Sequence, residues 1–308
     1  MLRKPSHSLS GKSELDCEVC MVSESAKSGY FKLLFPEWQG YGSDARLTEG
    51  AQELAENLFS INQFFRIRTA SFESLEIEHG VAGLSSIAAL CGEARALLKQ
   101  HQPSRVFMIG GTCATEIAPV TYLNESYSGQ LAVIWFDAHG DLNTPSSSPS
   151  GHFHGMSLRT LLGEGPEAIT SQIKKPLKPD QVFLVGSRDL DPEEEQFIDL
   201  NGVHYTSGHD DKGAKAHLFD ALKRAAYRRI YIHIDVDVFN PFSFKDSLMP
   251  TPGGYTMESV ASIIRDLDKS FEIVGVSLVE FCKRTDTGIQ LLRQFIIDAG
   301  LNSKVGGL

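Results

Sequence analysis

The sequence predicts an α/β fold in which parallel strands alternate with helices that cover both faces of the sheet. From Tyr30 onward, short apolar runs recur along the chain and alternate with longer segments of helical periodicity. The spacing between successive runs accommodates one helix, which is the usual connection between parallel strands. Polar clusters directly follow several of the apolar runs, and ligands of parallel sheets bind at those strand ends. A doubly wound sheet and a barrel both agree with this pattern.

Eight short apolar runs are the candidate strands. They are Phe31–Phe35, Phe65–Thr69, Arg105–Ile109, Leu131–Phe136, Gln181–Val185, Val203–Tyr205, Arg229–Ile234 and Ile273–Val279. Seven segments with helical periodicity are the candidate helices. They are Ser85–Lys99, Thr115–Asn124, Met156–Leu162, Asp191–Asp199, Lys212–Ala226, Met257–Ser270 and Gly288–Ala299. The first of these helices has the clearest pattern, with Ile87, Leu90, Ala94 and Leu97 along one stripe.

The length and composition are those of a soluble globular protein. A chain of 308 residues can bury a large core, and no linker rich in Pro, Gly or Ser divides it. We therefore expect residues 29–308 to form a single domain, preceded by a poorly ordered extension at residues 1–28. The hydrophobic content of 42% and the charged content of 22% are ordinary for such a domain.

The charge distribution excludes several classes of partner. The net charge is −10 and basic residues cluster only in short pairs such as Arg228-Arg229, so neither nucleic acid nor an anionic membrane is the expected partner. The sequence has no run of 18 apolar residues, so no segment is expected to cross a membrane. Residues 1–20 lack the apolar core of a signal peptide.

The cysteines indicate a reducing compartment. Their number, five, is odd, and we expect a cytoplasmic protein. Cys17 and Cys20 form a lone CxxC in a polar segment without a second pair. We interpret them as incidental thiols in the N-terminal extension rather than as a zinc or redox site.

Two acidic clusters carry the strongest chemical signal, because each directly follows an apolar run. The first consists of Asp137, His139 and Asp141, and the second of Asp235 and Asp237. Alternate side chains of an extended chain share one face, so the members of each cluster are expected to point the same way if the segment stays extended. Crowded carboxylates repel one another and resist desolvation, and a shared divalent cation relieves both effects. The donors accommodate one cation or two, and solvent-facing acidic loops are the alternative.

A segment rich in Ser, Pro and Gly connects the first acidic cluster to a second pair of histidines. It runs from Asn143 to His154 and has neither helical nor strand periodicity. Loops of this length often line a ligand site, so we expect this one to border a substrate pocket.

Five motifs occur in an order that resembles the arginase/agmatinase (ureohydrolase) family. They are DAHGDLN at residues 137–143, SGHFHGM at 150–156, GSRDLDP at 186–192, DVD at 235–237 and VE at 279–280. The resemblance extends from about Phe31 to the C-terminus. Separated motifs in one order are far more specific than any one alone, and residues 186–192 resemble the arginase branch rather than the agmatinase branch.

The resemblance implies a three-layer α/β/α fold around a central, mainly parallel eight-stranded sheet. It also implies a centre of two Mn²⁺ ions that hydrolyses the guanidino group of a small substrate to urea and an amine, in a homo-oligomer such as a trimer or hexamer. The metal ligands implied are Asp137, His139, Asp141, Asp235 and Asp237, with Asp137 and Asp235 bridging. Paired cations lower the pKa of a shared water and orient it, which suits attack on a poorly electrophilic guanidinium carbon.

The resemblance also implies catalytic and substrate-binding roles. His154 matches a histidine that passes a proton to the leaving amine, and imidazole suits that role because it titrates near neutral pH. Glu280 matches a carboxylate that grips the guanidinium, and Asp141 completes the catalytic set. An ordinary loop histidine and a surface carboxylate are the alternatives for His154 and Glu280. The substrate-binding residues implied are Asn143, Ser150, His152, Asp191 and Glu194, which favour a substrate with α-amino and α-carboxylate groups.

Several positions depart from the family pattern. Residues 110–113 read Gly-Gly-Thr-Cys where the family has Gly-Gly-Asp-His. A thiolate ligand at Cys113 would favour a divalent metal softer than Mn²⁺, and a buried thiol that only fills space is the alternative. His152 stands where arginases have Asn, and Asn240 stands where Asp is usual. His233 precedes the second acidic cluster and could be a further ligand, but we interpret it as a satisfied core histidine.

Three functions agree with these residues. The first is a metal-dependent amidinohydrolase that acts on arginine or a close analogue such as N-hydroxyarginine. The second is a catalytically degenerate relative that binds a guanidino ligand, and retention of Asp141, His154 and Glu280 disfavours it. The third is a zinc amidohydrolase of deacetylase type, which Glu280 and residues 186–192 disfavour.

Overall fold

The computed structural model describes residues 29–42, 44–71, 74–207 and 211–306. The predicted N-terminal extension, with Cys17 and Cys20, lies outside the described residues.

All eight predicted strands form, and together they make one parallel sheet. In chain order the strands are β1 (Phe31–Phe35), β2 (Phe65–Arg66), β3 (Ile77–Glu78), β4 (Val81–Ala82), β5 (Val106–Gly110), β6 (Leu131–Phe136), β7 (Val182–Val185), β8 (His204–Thr206), β9 (Arg229–Asp235) and β10 (Glu272–Val279). The order across the sheet is β2-β1-β5-β10-β9-β6-β7-β8. The remaining two, β3 and β4, pair antiparallel in a separate hairpin that the sequence analysis did not predict.

All seven predicted helices form as well, with ends that differ by a few residues. In chain order the helices are α1 (Arg46–Leu58), α2 (Leu84–His101), α3 (Ile117–Ser126), α4 (Ser157–Leu161), α5 (Glu167–Thr170), α6 (Pro192–Asn201), α7 (Asp211–Ala225), α8 (Met257–Ser270), α9 (Gly288–Asp298) and α10 (Asn302–Val305). The segment predicted to start α3 at Thr115 instead forms a 3₁₀ turn over Cys113–Glu116. Across the described ranges, no helix has both the length and the apolar content that crossing a membrane requires.

Helix α1 is the largest element that the sequence analysis missed. Its buried stripe includes Leu47, Leu54 and Leu58, at a spacing typical of an amphipathic helix. A Cβ at Gly50 would lie 2.0 Å from the backbone oxygen of Phe281. Helix α1 therefore packs this closely against the segment after β10 only because position 50 has no side chain.

The side chains of the sheet divide between two apolar layers. In β6, Ile134 and Phe136 face the layer that contains α1 and α7 to α10, whereas Val133 and Trp135 face the layer that contains α2 to α6. Both faces of the sheet are therefore covered by helices, as expected for buried parallel strands. The predicted three-layer α/β/α architecture is confirmed.

Candidate metal centre and active site

Four adjacent strands bring the chemically active side chains to one edge of the sheet. The strands β5, β10, β9 and β6 are neighbours. Cys113 and Asp137 follow β5 and β6, Asp235 is the last residue of β9, and Glu280 directly follows β10. All four side chains are buried. They lie at the carboxyl ends of parallel strands, where α/β proteins bind their ligands.

Glu280 is held against the segment that carries Cys113. A Cβ at Gly111 would lie 1.8 Å from the backbone oxygen of Glu37, so glycine is needed where this segment passes β1. The backbone N–H of Glu280 donates to the Gly111 carbonyl at 2.8 Å, and the N–H of Cys113 donates to Glu280 Oε1 at 3.0 Å. Glu280 has a φ of 61° and Asp141 a φ of 53°, a conformation that costs a non-glycine residue about 1–3 kcal/mol. Both strained residues belong to the predicted catalytic set.

The two acidic clusters converge through turns rather than through extended chain. Asp137 Oδ1 accepts a hydrogen bond from the N–H of His139 at 2.7 Å, and Asp235 Oδ1 accepts one from the N–H of Asp237 at 2.8 Å. Each strand-end aspartate thus closes a turn onto the residue two positions later. The condition for strand alternation, an extended segment, is not met in either cluster, because β6 ends at Phe136 and β9 ends at Asp235.

The donor atoms form three close groups, within each of which all ligand atoms lie less than 4.8 Å apart. The groups are Asp137 with His139 and Asp237, Cys113 with Asp235 and Glu280, and Cys113 with Asp137 and His233. The shortest contacts are 3.0 Å between His139 Nδ1 and Asp237 Oδ2, and 3.4 Å between Cys113 Sγ and Asp235 Oδ2. Of the six predicted ligands, Asp141 is the one outside these groups.

The electrostatics of the cluster favour added positive charge. Burial and the charge of Asp137 raise the pKa of Asp141 well above its usual range, and burial with neighbouring carboxylates does the same for Asp235. Burial and nearby carboxylates also raise the pKa of Cys113, so its thiol needs a bound cation to ionise near neutral pH. Asp141 Oδ2 and His139 Nε2 are buried without a hydrogen-bond partner. This donor set fits divalent cations.

His233 and Glu116 form a buried pair behind the cluster that the sequence analysis did not identify as such. Glu116 Oε1 lies 2.9 Å from His233 Nδ1, and both side chains are fully buried. The ring of His233 stacks on Trp135 with centroids 3.6 Å apart, and Trp135 Nε1 donates to Asp137 Oδ2 at 3.0 Å. Burial alone would lower the pKa of His233, but the neighbouring Asp137 and Glu116 carboxylates raise it to about 8.

A cavity of about 240 Å³ opens beside the donor groups. His139, Asp141 and His154 line it, together with Asp189, which the sequence analysis had not assigned to the site. His154 Nδ1 lies 3.6 Å from Glu280 Oε1, which brings the two predicted catalytic residues together. The exposed carboxylate of Asp189 lies 3.9 Å from His139 Nε2.

Four of the five predicted substrate-binding residues line this cavity. They are Asn143, Ser150, Asp191 and Glu194. The side-chain amide of Asn143 donates to Asp191 Oδ2 at 2.8 Å, so these two polar groups are held together. His152 does not line it, and its ring packs instead against Tyr41, with centroids 5.5 Å apart.

Glu194 has both carboxylate oxygens engaged by the backbone. Oε1 accepts from the N–H of Leu142 at 2.8 Å, and Oε2 accepts from the N–H of Asp191 at 2.9 Å. Burial raises the pKa of Glu194 to about 7, although both hydrogen bonds oppose the shift. Glu194 thus connects the first acidic cluster to the start of α6.

Two further polar residues lie around the site. Glu37, which the sequence analysis did not identify, is fully buried and accepts hydrogen bonds from the Thr112 hydroxyl and from the N–H of Gly40. Burial raises the pKa of Glu37 to about 7. Asn240 Oδ1 accepts from the N–H of Phe242 at 2.9 Å and closes a turn after the second acidic cluster.

Comparisons with known proteins show the family of the chain. A family model described as the arginase family matches residues 45–293. The arginase of Staphylococcus aureus strain MRSA252 is 36% identical over 178 residues, which cover 56% of this chain and 59% of the relative. The arginase of Entamoeba histolytica is 29% identical over 157 residues, which cover 50% of this chain and 53% of the relative. The chain therefore spans less than two thirds of the length of these curated relatives.

Solved structures share the fold. The crystal structure of Entamoeba histolytica arginase in complex with L-ornithine has a TM-score of 0.79 and 22% identity, covering 89% of this chain and 98% of that chain. The formimidoylglutamase of Bacillus subtilis has a TM-score of 0.67 and 16% identity, covering 91% of this chain and 88% of that chain. At these identities the likeness extends to the fold.

Proposed function

This chain belongs to the arginase family, and from that premise we propose that it is a metal-dependent amidinohydrolase that cleaves the guanidino group of arginine or a close analogue. The observation that carries the proposal is the meeting of three metal-donor groups at four adjacent strand ends, beside a cavity that His154 lines. We also propose that residues 29–308 form one domain, which binds two Mn²⁺ ions or another pair of divalent cations. The protein would be a cytoplasmic homo-oligomer.

The buried carboxylates would hold the cations. Asp137 and Asp235 each use Oδ1 to close a backbone turn, and their Oδ2 atoms lie 3.7 Å from His233 Nε2 and 3.4 Å from Cys113 Sγ, respectively. His139, Asp237 and Asp141 complete the ligand set, with Cys113 as a sulfur donor. When bound, such cations supply the Lewis acidity that makes water nucleophilic at neutral pH.

The chain's own residues would bind and orient the substrate. Glu280 offers a carboxylate to the planar guanidinium, which matches two parallel hydrogen bonds of a charged pair. Its oxygen Oε1 already lies 3.6 Å from His154 Nδ1, so the imidazole is placed to pass a proton to the leaving amine. The backbone contacts of Glu280 fix that carboxylate before substrate enters.

The polar end of the cavity favours an amino-acid substrate over agmatine. Asn143, Ser150 and Asp191 line it and can receive α-amino and α-carboxylate groups. Removing the substrate carboxylate would leave polar groups unpaired, at about 1–3 kcal/mol each. N-hydroxyarginine is the second candidate, because Cys113 and His152 both depart from the pattern expected of an arginase.

Product analysis tests this proposal. The protein, with Mn²⁺ added, is incubated with arginine, N-hydroxyarginine, agmatine and formimidoylglutamate, and urea, hydroxyurea and formamide are measured. We expect urea or hydroxyurea from an amino-acid substrate, and a His154→Ala variant that retains its metal should be slower by roughly 10²–10⁴-fold. Agmatine turnover as efficient as that of arginine would overturn the preference. Metal-loaded protein that binds these compounds without turnover would instead support the degenerate relative.

A further inference from the structure

A buried column of side chains runs from Glu116 through His233 to the donors Cys113 and Asp137. We propose that His233 Nε2 is a metal ligand, so that one cation position is built from Cys113 sulfur, His233 nitrogen and Asp137 oxygen. The inference rests on the metal centre of the proposed function and adds to it a ligand from β9. It replaces the interpretation of His233 as a satisfied core histidine.

The three donor atoms lie within 4.8 Å of one another, close enough to share one cation after a small contraction. His233 Nε2 lies 3.8 Å from Cys113 Sγ and 3.7 Å from Asp137 Oδ2. Bonds of about 2.3 Å to sulfur and 2.0–2.1 Å to nitrogen or oxygen at a tetrahedral angle separate such ligands by about 3.3–3.6 Å. The contact with Asp137 is too long for a direct hydrogen bond. A small contraction onto a shared cation would bring all three atoms to bonding distance.

Glu116 orients the imidazole for this role. Its Oε1 lies 2.9 Å from His233 Nδ1 in a fully buried pair. Because a carboxylate oxygen accepts hydrogen bonds, this contact favours the tautomer with its proton on Nδ1, in which the lone pair is on Nε2 and faces Cys113 and Asp137. A carboxylate behind a histidine is the usual support for a metal-binding imidazole. Glu116 and Cys113 belong to the same 3₁₀ turn, so one turn supplies both a ligand and the group that orients another.

The surroundings hold the ring in this position. Trp135 stacks on the His233 ring at 3.6 Å and donates to Asp137 Oδ2 at 3.0 Å. The imidazole and the carboxylate it faces are thus fixed by the same indole. The family motif has a histidine at the position of Cys113. In this chain His233 of β9 places an imidazole beside that position instead.

The two cation positions then differ in chemistry. Asp137 with His139 and Asp237 offers one nitrogen and two carboxylate oxygens, which suit Mn²⁺. The position with Cys113 and His233 includes sulfur, which favours Zn²⁺, Fe²⁺ or Co²⁺. We therefore expect a centre that binds two different metals more readily than two Mn²⁺ ions.

Titration of chelator-treated protein with Co²⁺ tests the ligand assignment independently of activity. Absorption spectra and bound metal are measured together for the wild type and for C113S, H233A and a control variant, H204A. His204, in the edge strand β8, stacks on Phe183 of β7, away from the donor groups. We expect two Co²⁺ per chain in the wild type, one of which gives a sulfur-to-cobalt charge-transfer band.

The variants separate the possible outcomes. C113S should lose the band, and H233A should weaken the same Co²⁺ by about 100-fold or more while the second Co²⁺ and the H204A protein remain unchanged. Wild-type affinity and spectrum in H233A would overturn the proposal. Absence of any bound Co²⁺ in the wild type would overturn the proposed function as well, so the two failures are distinct.

A measurement on unmodified protein covers the case in which H233A does not fold. X-ray absorption at the zinc edge, with one equivalent of Zn²⁺ bound, should show one sulfur and one imidazole around the metal. A zinc shell with sulfur but no imidazole would overturn the proposal, as would a shell with imidazole and no sulfur.

Discussion

Replacing Glu194 with alanine asks whether this residue supports the site or contacts substrate. Both oxygens of Glu194 accept backbone N–H groups, at 2.8 Å from Leu142 and 2.9 Å from Asp191. The variant would leave the buried Leu142 donor without a partner, at a cost of about 1–3 kcal/mol, and would free the half-buried Asp191 donor at a lower cost. We expect a loss of about 2–4 kcal/mol in the free energy of unfolding.

The loss should also depend on pH with a defined sign. The folded-state pKa of Glu194 is about 7, raised above the ordinary value of 4.5. A raised carboxyl pKa means that the folded state binds the proton more tightly, so the stability it contributes is complete below pH 4.5 and declines as pH rises through about 7. Glu194→Ala should therefore cost more at pH 5.5 than at pH 8.

Urea denaturation at both pH values measures these changes. Glu195→Ala is the matched control, because it removes the same charge from the first turn of α6 at an exposed position. If the difference between the variants is below about 1 kcal/mol while Glu194→Ala alone raises KM, the reasoning is refuted. Glu194 would then contact substrate, as the sequence analysis predicted.

Two other predictions concern the carboxylates around the site. Burial raises the pKa of Glu37 to about 7, so the free energy of unfolding should fall between about pH 5 and pH 7. In urea denaturation, Glu37→Gln should remove up to about 3 kcal/mol of that fall. A pH profile that the substitution leaves unchanged would contradict this. Asp137→Ala should lose both cations in elemental analysis, because Asp137 belongs to two donor groups, whereas the exposed neighbour Asp189→Ala should retain them. Full metal content in Asp137→Ala would exclude a shared ligand.

Local sequence patterns were sufficient for the sheet and most of its helices. The bounds of β6 and α8 were predicted without error, because a continuous apolar run and a strong helical periodicity leave few alternatives. Helix α1 was missed although Leu47, Leu54 and Leu58 carried the same signal. The motifs also indicated that His154 and Glu280 belong to one site, where they lie 3.6 Å apart; Glu280 follows β10, and His154 lies in the long segment between β6 and β7.

Pairings between distant segments could not be predicted in the same way. Glu116 and His233 are 117 positions apart, and no motif in the sequence contains both of them. The turns at Asp137 and Asp235 were missed because alternation applies only while the strand continues. His152 stays a predicted substrate-binding residue, and its ring packs on Tyr41, a contact between distant segments that no local pattern encodes.

The order of strands also constrains how the protein folds during its synthesis. Strand β10 is the last strand described, yet it lies between β5 and β9 in the middle of the sheet. A nascent chain that ends before Glu272 already contains β5 and β9. Neither strand can yet pair with β10, which is the neighbour of both in the folded sheet. The backbone N–H and C=O groups along these edges of β5 and β9 stay unpaired until β10 leaves the ribosome, and unpaired strand edges can bind other chains. Ribosome-associated chaperones would be needed most during the interval before β10 emerges.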